Sequence, residues 1–386
     1  MAKIGDVCAS KIDTLNAAYN GKIDYIDISA VDNDKKKITN TETLQIKEAP
    51  SRARQLVECD DIIVSLVRPN LNAVAVVENS SENLQVASTG YCVLRCNQAV
   101  YSRYLFYFCQ SETFINRMTV QATGASYPAV SNSIVKNCEI PLPERNKQKE
   151  IADILDKVTG LISLRKQQLA KLDELVKARF VEMFGDFEFN PKEFPVYHLC
   201  ELCDVGSSKR IYQEEQSISG IPFLKVADLN ELIDTGKYSC STFIPLERYE
   251  QLLHKELTPT ENDILITSRG TLGKCYIVQS DDEFYFQDGM ISWLSNFSPK
   301  VSSIYISYLF AQPYIQKQIE SLHAGSTVAY LSIAMLKKIN VILPPKKLQD
   351  DFAAFVERVD QQKQTVQQSL EKLELMKKAL MQEYFG

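Results

Sequence analysis

The sequence predicts an α+β chain with two tandem mixed α/β domains, each followed by a long helix. Three observations predict this fold: an internal repeat, an apolar strand that ends in proline before a charged helical pattern in each half, and a heptad spacing after each proline. The helices are expected to pair as an antiparallel coiled coil with pseudo-twofold symmetry. The expected bounds are 1–145 and 186–345 for the domains, and 146–185 and 346–386 for the helices.

The repeat follows a single gapless offset of 201 residues over the C-terminal part of each half. Pro143 pairs with Pro344, and the match ends with Phe184-Gly185 over Phe385-Gly386. A period of this length indicates a domain duplication, because solenoid repeats are far shorter. Upstream, the halves align only with gaps. There, residues 61–64 resemble 263–266, and Arg68-Pro69-Asn70-Leu71-Asn72 lies against Arg269-Gly270-Thr271-Leu272-Gly273. The helical parts are therefore alike and the globular parts have diverged.

Each globular half reads as mixed α/β from its hydrophobic periodicity. Strands are expected at 22–31, 60–67, 73–78, 86–95 and 138–142 in the first half, and at 221–229, 262–267, 275–279, 289–294 and 339–343 in the second. Helices are expected at 101–117 and 301–320, and the stretch 185–196 with its two prolines is interpreted as a linker.

The two long helices carry seam residues whose steps alternate between four and three. In the first helix these are Ile151, Leu155, Val158, Ile162, Arg165, Leu169, Leu172, Val176, Arg179 and Met183. In the second they are Phe352, Val356, Val359, Lys363, Val366, Leu370, Leu373, Lys377, Leu380 and Tyr384. The alternative interpretation is two separate amphipathic helices, each packed on its own domain, because heptads also mark ordinary surface helices.

Composition sets limits on the function. The chain has 386 residues with 45% hydrophobic and 24% charged, which is ordinary for a protein of two or three domains. A net charge of −6 argues against a protein that coats nucleic acid unaided. The N-terminus MAKIGDVCAS lacks the pattern of a signal peptide, and no apolar stretch is long enough for a membrane helix. The ten scattered cysteines are then expected to be reduced thiols of a cytoplasmic protein.

These features together resemble the specificity subunit of type I restriction-modification systems. In each half a Gly-Ser-type element, TGAS at 123–126 and AGST at 324–327, precedes the joint, EIPLPERNKQKEI or NVILPPKKLQDDF, and then the long helix. The run DILITSRGTLGK at 263–274 is also typical of that family. The resemblance covers the whole chain. It departs from the family at LVRPN, 66–70, where an Arg-Gly turn is usual, and at LQDD, 348–351, where Gln-x-x-Ile is usual.

The resemblance implies two target recognition domains, each reading one half of a bipartite sequence in double-stranded DNA. It implies methylation subunits, two per chain, docked through the helices, and restriction or translocase subunits in the full complex. It also implies a subunit that is not itself a catalyst and that uses no cofactor. A helical pair of this length would hold two recognition domains over sites separated by about a turn or more of B-DNA.

Candidate DNA contacts are polar, basic and aromatic residues in loops, because such side chains bind phosphates and base edges. The candidates are Arg52, Arg54, Arg68, Asn70, Asn72, Ser126, Tyr127, Lys136, Lys209, Arg210, Arg269, Thr271, Lys274, Ser326, Thr327, Tyr330 and Lys337. Ser131 and Ser332 are expected to cap helices that fix the Gly-Ser loops. The basic pairs Lys209-Arg210 and Arg52-x-Arg54 fit solvated surface as well as a reader, and Lys35-Lys36-Lys37 is interpreted as a solvated turn.

Two other kinds of site, a phosphate-binding loop and a zinc site, are disfavoured by the spacing of the residues that would form them. Gly270-Thr271-Leu272-Gly273-Lys274 has two residues between the first glycine and Gly-Lys, where a phosphate-binding loop needs four, so it is expected to be a hairpin turn. Cys200-x-x-Cys203 has no second such pair, which leaves a zinc site short of ligands. No methyltransferase or nuclease motif is visible. The alternatives that stay open are an enzyme related to DNA methyltransferases or nucleases, and a two-headed coiled-coil scaffold that binds only protein.

Overall fold

The computed structural model describes residues 1–16, 19–78, 82–322 and 329–386. The chain divides into two compact units. Unit 1 comprises residues 1–168 with 366–386, and unit 2 comprises residues 169–365. Each of the two long helices contributes one part to each unit, because the first helix spans Arg145–Phe184 and the second Lys346–Phe385. Among the described residues, no helix is both long and apolar enough to cross a membrane.

The elements of unit 1 and the first long helix follow one another in a β-rich order. They are β1 Ala2–Lys3, β2 Lys22–Ile26, β3 Val31–Asp32, β4 Lys37–Ile38, β5 Glu42–Gln45, β6 Ala53–Leu56, β7 Ile62–Ser65, β8 Val74–Val76, β9 Leu84–Ser88, β10 Tyr91–Leu94, α1 Ser102–Phe108, α2 Glu112–Gln121, α3 Asn132–Asn137, β11 Glu139–Ile140 and α4 Arg145–Phe184. The sheets have the orders β5-β2-β9-β6, β10-β7-β8, β1-β11 and β3-β4. In the first of them β2 and β9 run parallel.

The elements of unit 2 and the second long helix repeat much of this plan. They are β12 Val196–His198, β13 Asp204–Gly206, β14 Ile221–Leu224, α5 Val226–Thr235, β15 Phe243–Ile244, α6 Leu246–Leu253, β16 Ile264–Thr267, β17 Cys275–Ile277, β18 Tyr285–Phe286, β19 Ile291–Ser295, α7 Ser303–Phe310, α8 Pro313–Leu322, α9 Ile333–Leu336, β20 Asn340–Ile342 and α10 Lys346–Phe385. The sheets have the orders β13-β19-β16-β17, β15-β14-β18 and β12-β20.

The sheet pairing shows the duplication directly. The central strand β7 lies between β10 and β8, and β16 lies between β19 and β17 in the same antiparallel sense. The strand that precedes each long helix pairs with the first strand of the same unit. β11 pairs with β1 in unit 1, and β20 pairs with β12 in unit 2. Among the described strands, β2 pairs in parallel with β9 in unit 1, and β14 with β18 in unit 2. The two units are therefore variants of one topology.

Five expected elements are divided in the structure. The strand expected at 22–31 ends at Ile26, and a 3₁₀ turn at Ile28–Ala30 leads into β3. The expected strand 86–95 is two strands around the Thr89-Gly90 turn. The helix expected at 101–117 breaks before Ser111, whose hydroxyl oxygen caps α2 by accepting from the Phe114 N–H. The helix expected at 301–320 breaks before Pro313, since proline starts a helix but cannot continue one. The strand expected at 221–229 ends at Leu224, and α5 follows it with its Lys225 N–H bound by the Asp228 carboxylate.

In unit 1, the start of α4 packs against the end of α10. Phe385 shares one apolar core with Ile151 and Leu155 of α4, and its ring centre lies 5.1 Å from that of Tyr104 on α1. The Arg165 guanidinium donates from Nε to the Ser369 hydroxyl at 3.2 Å. These contacts place the beginning of one helix beside the end of the other.

In unit 2, the end of α4 packs against the start of α10. The ring of Phe180 lies 5.3 Å from that of Phe352, and Phe184 lies 5.0 Å from Tyr305 on α7. The Lys363 ammonium pairs with the Asp173 carboxylate at 2.5 Å, so a charged seam position is neutralised. Most predicted apolar seam residues are buried, namely Ile151, Leu155, Val158, Leu172, Val176, Met183, Phe352, Val356, Val359, Val366 and Leu370.

Candidate nucleic-acid interface

In unit 1, three chain segments meet at the end of the central strand β7. The N–H of Leu66 donates to the Gly90 carbonyl at 2.9 Å, which fixes the turn after β7 beside the β9–β10 turn. The N–H of Val130 donates to the Leu66 carbonyl at 2.9 Å, and that of Arg68 to the Pro128 carbonyl at 2.7 Å. The segment before α3 is therefore tied to the same edge of the sheet.

This edge exposes an arginine stacked on a tyrosine. The Arg68 guanidinium carbon lies 4.8 Å from the centre of the Tyr127 ring, and Tyr127 is 69% exposed. Ser126 and Asn70 are exposed beside them in sequence. The N–H of Thr89 donates to the Arg52 carbonyl at 2.9 Å, so exposed Arg52 belongs to the same edge. Exposed cations with an aromatic face form the kind of surface that binds phosphates and bases.

The turn that carries Arg68 is held in place by hydrogen bonds of the buried Asn72 side chain. Pro69–Leu71 form a 3₁₀ turn between two left-handed residues, Arg68 with φ 48° and Asn72 with φ 49°. The buried Asn72 amide donates to the Cys109 carbonyl at 2.8 Å and its Oδ1 accepts from the Lys36 ammonium at 3.0 Å. The side chain of Asn72 is therefore bonded inside the fold, and its contact with DNA stays a prediction.

Lys36 is also not the solvated residue that its lysine run suggested. Its ammonium donates to both the carbonyl and the side-chain oxygen of Asn72. Burial, with the nearby charge of Lys377 as a second cause, lowers the pKa of Lys36 to about 8. Lys36 and Asn72 together fix the base of the turn that presents Arg68, Asn70 and Leu71.

Unit 2 builds the same kind of edge. The N–H of Ser268 donates to the Met290 carbonyl at 2.9 Å, and the N–H of Leu331 donates to the Ser268 carbonyl at 3.0 Å. The Arg269 guanidinium carbon then lies 5.4 Å from the centre of the Tyr330 ring. Both units therefore place an arginine over a tyrosine at the end of the central strand.

The two pairs use positions that are not equivalent in structural register. Ser268 makes the hydrogen bonds that Leu66 makes in unit 1, and Arg269 bridges to Tyr330 as Val67 bridges to Ala129. The alignment of Arg68 with Arg269 is therefore one residue out of register. The arginine–tyrosine pair is therefore formed by different positions in the two units.

The glycine-containing segment of unit 2 is the expected hairpin turn. It joins the antiparallel strands β16 and β17, with Gly270 at φ 72° and Gly273 at φ 76°. The Thr267 hydroxyl donates to the Thr271 carbonyl at 2.5 Å, and Thr271 is exposed. The Lys274 ammonium is bound by both carboxylate oxygens of Asp234 at 2.6 and 2.8 Å, so its charge is already paired.

The basic pair Lys209-Arg210 lies against the same edge of unit 2. The hydroxyl of Ser207 accepts from the Gly289 N–H at 3.2 Å and donates to the Ile291 carbonyl at 3.1 Å. The N–H of Lys209 donates to the Tyr285 hydroxyl at 2.8 Å. Since Met290 contacts Ser268, these bonds bring Arg210 to the strand ends that carry Arg269.

Of the remaining predicted DNA contacts, some have exposed side chains and others are bonded to the backbone of their own unit. Arg54 is exposed on β6, where its Nε donates to the Ser51 carbonyl, and Lys337 is exposed at the end of α9. The ammonium of Lys136 donates to the carbonyls of Ala9 and Ser10 at 3.1 and 2.9 Å, and its contact with DNA stays a prediction. Ser326 and Thr327 lie outside the described residues.

The two helix caps behind the Gly-Ser elements are confirmed. Ser131 accepts a hydrogen bond from the Ile134 N–H, and Ser332 accepts one from the Met335 N–H. Each cap satisfies an N–H that the first helical turn leaves open. In unit 1 the cap fixes the end of the segment that carries Ser126 and Tyr127 at the strand edge.

Sequence reasoning missed a matched pair of buried glutamines at the two joints. Gln148 accepts from the Tyr101 N–H at 2.8 Å and donates to the carbonyls of Ala99 and Pro143. Gln349 accepts from the Ser302 N–H at 2.9 Å and donates to the carbonyls of Lys300 and Pro344. Each glutamine fastens the start of its long helix to its globular domain. The offset of 201 was the signal, since it also relates these two residues.

The cysteine pair of unit 2 consists of one exposed and one buried free thiol. Burial raises the pKa of Cys203 to about 12, and Cys200 is exposed. Across the described ranges, no group of three or more His, Cys, Asp or Glu side chains has a metal-binding arrangement.

The structure has two duplicated α/β units, each with an exposed basic and aromatic strand edge and each fastened to a long helix. The sequence profile of the type I restriction modification DNA specificity domain matches residues 1–174 and 191–375. The chain therefore belongs to the family of type I restriction-modification specificity subunits, and the resemblance found in the sequence is confirmed.

Relatives and solved structures agree with this membership. The type I restriction enzyme MjaVIII specificity subunit of Methanocaldococcus jannaschii is 27% identical over 309 residues, 74% of this chain and 69% of that protein. A chain from a structure of the type I R-M system, described for its complex assembly and conformational transition, has a TM-score of 0.62 at 22% identity, over 100% of this chain and 96% of that one. The specificity subunit from M. genitalium has a TM-score of 0.61 at 16% identity, over 100% and 95%.

Family membership also decides between classes of function. The chain is a non-catalytic DNA-recognition subunit, as the profile and the named relatives indicate. The alternative of a methyltransferase- or nuclease-related enzyme is therefore not supported. The two structural likenesses show the fold, and the mixed α/β class with two domains agrees with them.

Proposed function

We propose that this subunit recognises a bipartite target in double-stranded DNA, with one half-site read by the strand edge of each unit. The observation that carries the proposal is the arginine–tyrosine pair, Arg68 with Tyr127 and Arg269 with Tyr330. A pair that recurs at the same edge, on positions out of register, is hard to explain as packing alone. Arginine supplies paired donors to phosphates and guanine, and the aromatic face keeps the guanidinium oriented.

We further propose that α4 and α10 pair along their lengths as an antiparallel coiled coil that sets the half-site spacing. The contacts Arg165 to Ser369 in unit 1 and Asp173 to Lys363 in unit 2 support this pairing. A helix of 40 residues is about 60 Å long at the usual rise per residue. Such a length suits a spacer between two recognition sites on one duplex.

Methylation subunits, two per chain, would dock on the outer faces of the helices. In unit 1 the side chains of Leu161, Leu164, Leu375 and Met376 are exposed although they are large and apolar. In unit 2 Leu175 and Val181 are exposed on α4 in the same way. Apolar side chains on a surface helix are typical of sites that a partner covers. Restriction or translocase subunits would join through the complete assembly.

The acidic balance of the chain suits a subunit that binds DNA within an assembly. The net charge is −6, so the chain as a whole repels phosphates, and Lys274 and Arg210 are already paired with carboxylates. Because affinity for a duplex grows with the number of phosphates neutralised, most of it is expected from partner subunits. An assembly that acts on cellular DNA in this way would work in the cytoplasm.

The test is methylation of a random DNA library by the purified chain with the methyltransferase encoded beside it. We expect a split target sequence, and exchange of residues 187–345 with those of a relative should change only one half of it. No sequence preference in the complex, or methylation by this chain alone, would contradict the proposal. Assembly with protein but no effect on DNA choice would instead favour the scaffold interpretation.

The spacer role has a separate test. Removing one heptad from α4 and the matching heptad from α10 keeps the seam in register while shortening the pair. The expected result is a target with the same two half-sites and a shorter gap between them, measured in the same methylation assay. An unchanged gap would show that the helices do not set the spacing.

A further inference from the structure

Arg210 differs from the other exposed arginines of unit 2 in how its side chain is held. The backbone before it is fixed by Ser207, Ser208 and Lys209, whose bonds reach the Ile291 and Phe286 carbonyls and the Tyr285 hydroxyl. The side chain is 65% exposed, whereas its partner Asp288 is 21% exposed. The exposed guanidinium of Arg210 thus follows a backbone segment that hydrogen bonds fix at the candidate interface.

A single carboxylate orients this guanidinium. The Nε–H of Arg210 donates to Oδ2 of Asp288 at 2.9 Å. In the part of the chain that the structure describes, Arg210 makes no further hydrogen bond or ion pair, so both Nη groups remain open. A guanidinium held at Nε directs its two Nη groups outward as a pair of parallel donors.

The chemistry of such a pair selects one base. In the major groove guanine presents two acceptors, O6 and N7, side by side, whereas adenine presents one acceptor and one donor. Two parallel N–H donors therefore match guanine and oppose adenine. The negative charge of Asp288 also repels an approaching phosphate, so this arginine is better suited to a base edge than to the backbone. Arg269, stacked on Tyr330 instead, has no such carboxylate in its described contacts.

We propose that Arg210 reads a guanine in the half-site recognised by unit 2, and that Asp288 is the positioning residue that aims it. This assignment rests on the proposed function, since it names the base that one residue of that interface selects. It predicts a guanine at one defined position of the target that depends on residues 187–345.

The test compares the wild-type complex with complexes that contain Arg210→Lys or Arg210→Gln, using the full chain and its methylation partner on a randomised library. Lysine keeps the charge but loses the paired donors. The preference for guanine over other bases at one position should fall by roughly 5- to 150-fold, the range for loss of one bidentate contact. The other half-site should be unchanged.

Asp288→Asn gives the readout for positioning. The amide keeps the size of the side chain but weakens its hold on Nε, so the guanine preference should fall in an otherwise wild-type chain. In the Arg210→Lys background it should add little, because the group that it positions is gone. Arg248→Lys is the matched control, since Arg248 pairs with Glu215 at 3.0 Å in the same unit. It should leave the target unchanged.

The outcomes separate this assignment from the proposed function. If the wild-type complex has a split target and Arg210→Lys leaves every position of it intact, only the assignment fails. Uniform loss of methylation on all sequences, with the guanine preference preserved, would make Arg210 a phosphate contact and also overturns the assignment. A wild-type complex without sequence preference refutes the proposed function together with the assignment.

Discussion

The ring of Phe385 lies 5.1 Å from the ring of Tyr104, so the penultimate residue of the chain completes the apolar core of unit 1. Phe184 occupies the corresponding place in unit 2, 5.0 Å from Tyr305. The offset of 201 relates Phe184 to Phe385 and Tyr104 to Tyr305. Each long helix therefore starts in the core of one unit and ends in the core of the other, which couples the stability of both units to both helices.

Phe385→Ala should destabilise unit 1 although the residue stands at the end of the chain. Truncating a buried phenylalanine costs about 3–5 kcal/mol, from lost transfer energy and the cavity left behind. The expected result is a lower unfolding midpoint, with hydrogen exchange increased in α1 and at the start of α4. Leu375→Ala, at a side chain that is 70% exposed, is the control and should change stability little. Equal effects of the two variants would refute the anchoring role.

The buried glutamines Gln148 and Gln349 should be needed for the fixed joint between each domain and its helix. Replacing either by alanine leaves one N–H and two carbonyls of the joint without their partner, and each orphaned group costs about 1–3 kcal/mol. Denaturant unfolding should show a loss of that order. Gln167→Ala is the matched control, because Gln167 is exposed on α4. A change in Gln167→Ala as large as in Gln148→Ala would contradict the role.

The sequence was sufficient for the duplicated fold and insufficient for the details of the interface. The offset and the heptads are regular along the chain, so the helices, joints and caps such as Ser131 could be predicted. The contact between Arg210 and Asp288 joins residues 78 positions apart. A hydrophobic pattern along the sequence predicts helices and strands, but it does not predict which distant side chains meet. The burial of Asn72 likewise depends on Lys36 and Cys109, which only the folded chain brings together.

Lys36 should make stability depend on pH in the alkaline range. Its pKa is lowered to about 8 in the fold from 10.5, so between these values the unfolded chain binds more protons than the folded one. The free energy of unfolding therefore increases as pH rises from about 8 towards 10.5. Below about pH 8 the buried amine of Lys36 is charged, and the cost of burying that charge opposes folding. Denaturant midpoints at pH 7.5 and pH 10, roughly the two ends of this window, measure the effect.

Lys36→Met should remove this contribution from the pH dependence, while Lys35→Met should keep it because Lys35 is exposed beside Asp32. The comparison of the two variants cancels the titration of other lysines and tyrosines. An identical pH dependence in both variants would show that Lys36 titrates as a solvated lysine and that it does not hold the Arg68 turn from a buried position.

Trp293, the single tryptophan of the chain, should report the protonation of Asp263. Its Nε1–H donates to the Asp263 carboxylate at 2.9 Å, and burial raises the pKa of Asp263 above 3.8. In the window between the raised pKa and 3.8 the folded chain binds more protons than the unfolded one, so this group adds stability as pH falls through that window.

Tryptophan emission should titrate with a midpoint above 3.8, because protonation of Asp263 weakens its charge-assisted hydrogen bond with the Trp293 indole. Asp263→Asn should abolish the titration and Asp234→Asn, at an exposed carboxylate, should retain it; the same titration in Asp263→Asn would assign the signal to another acid.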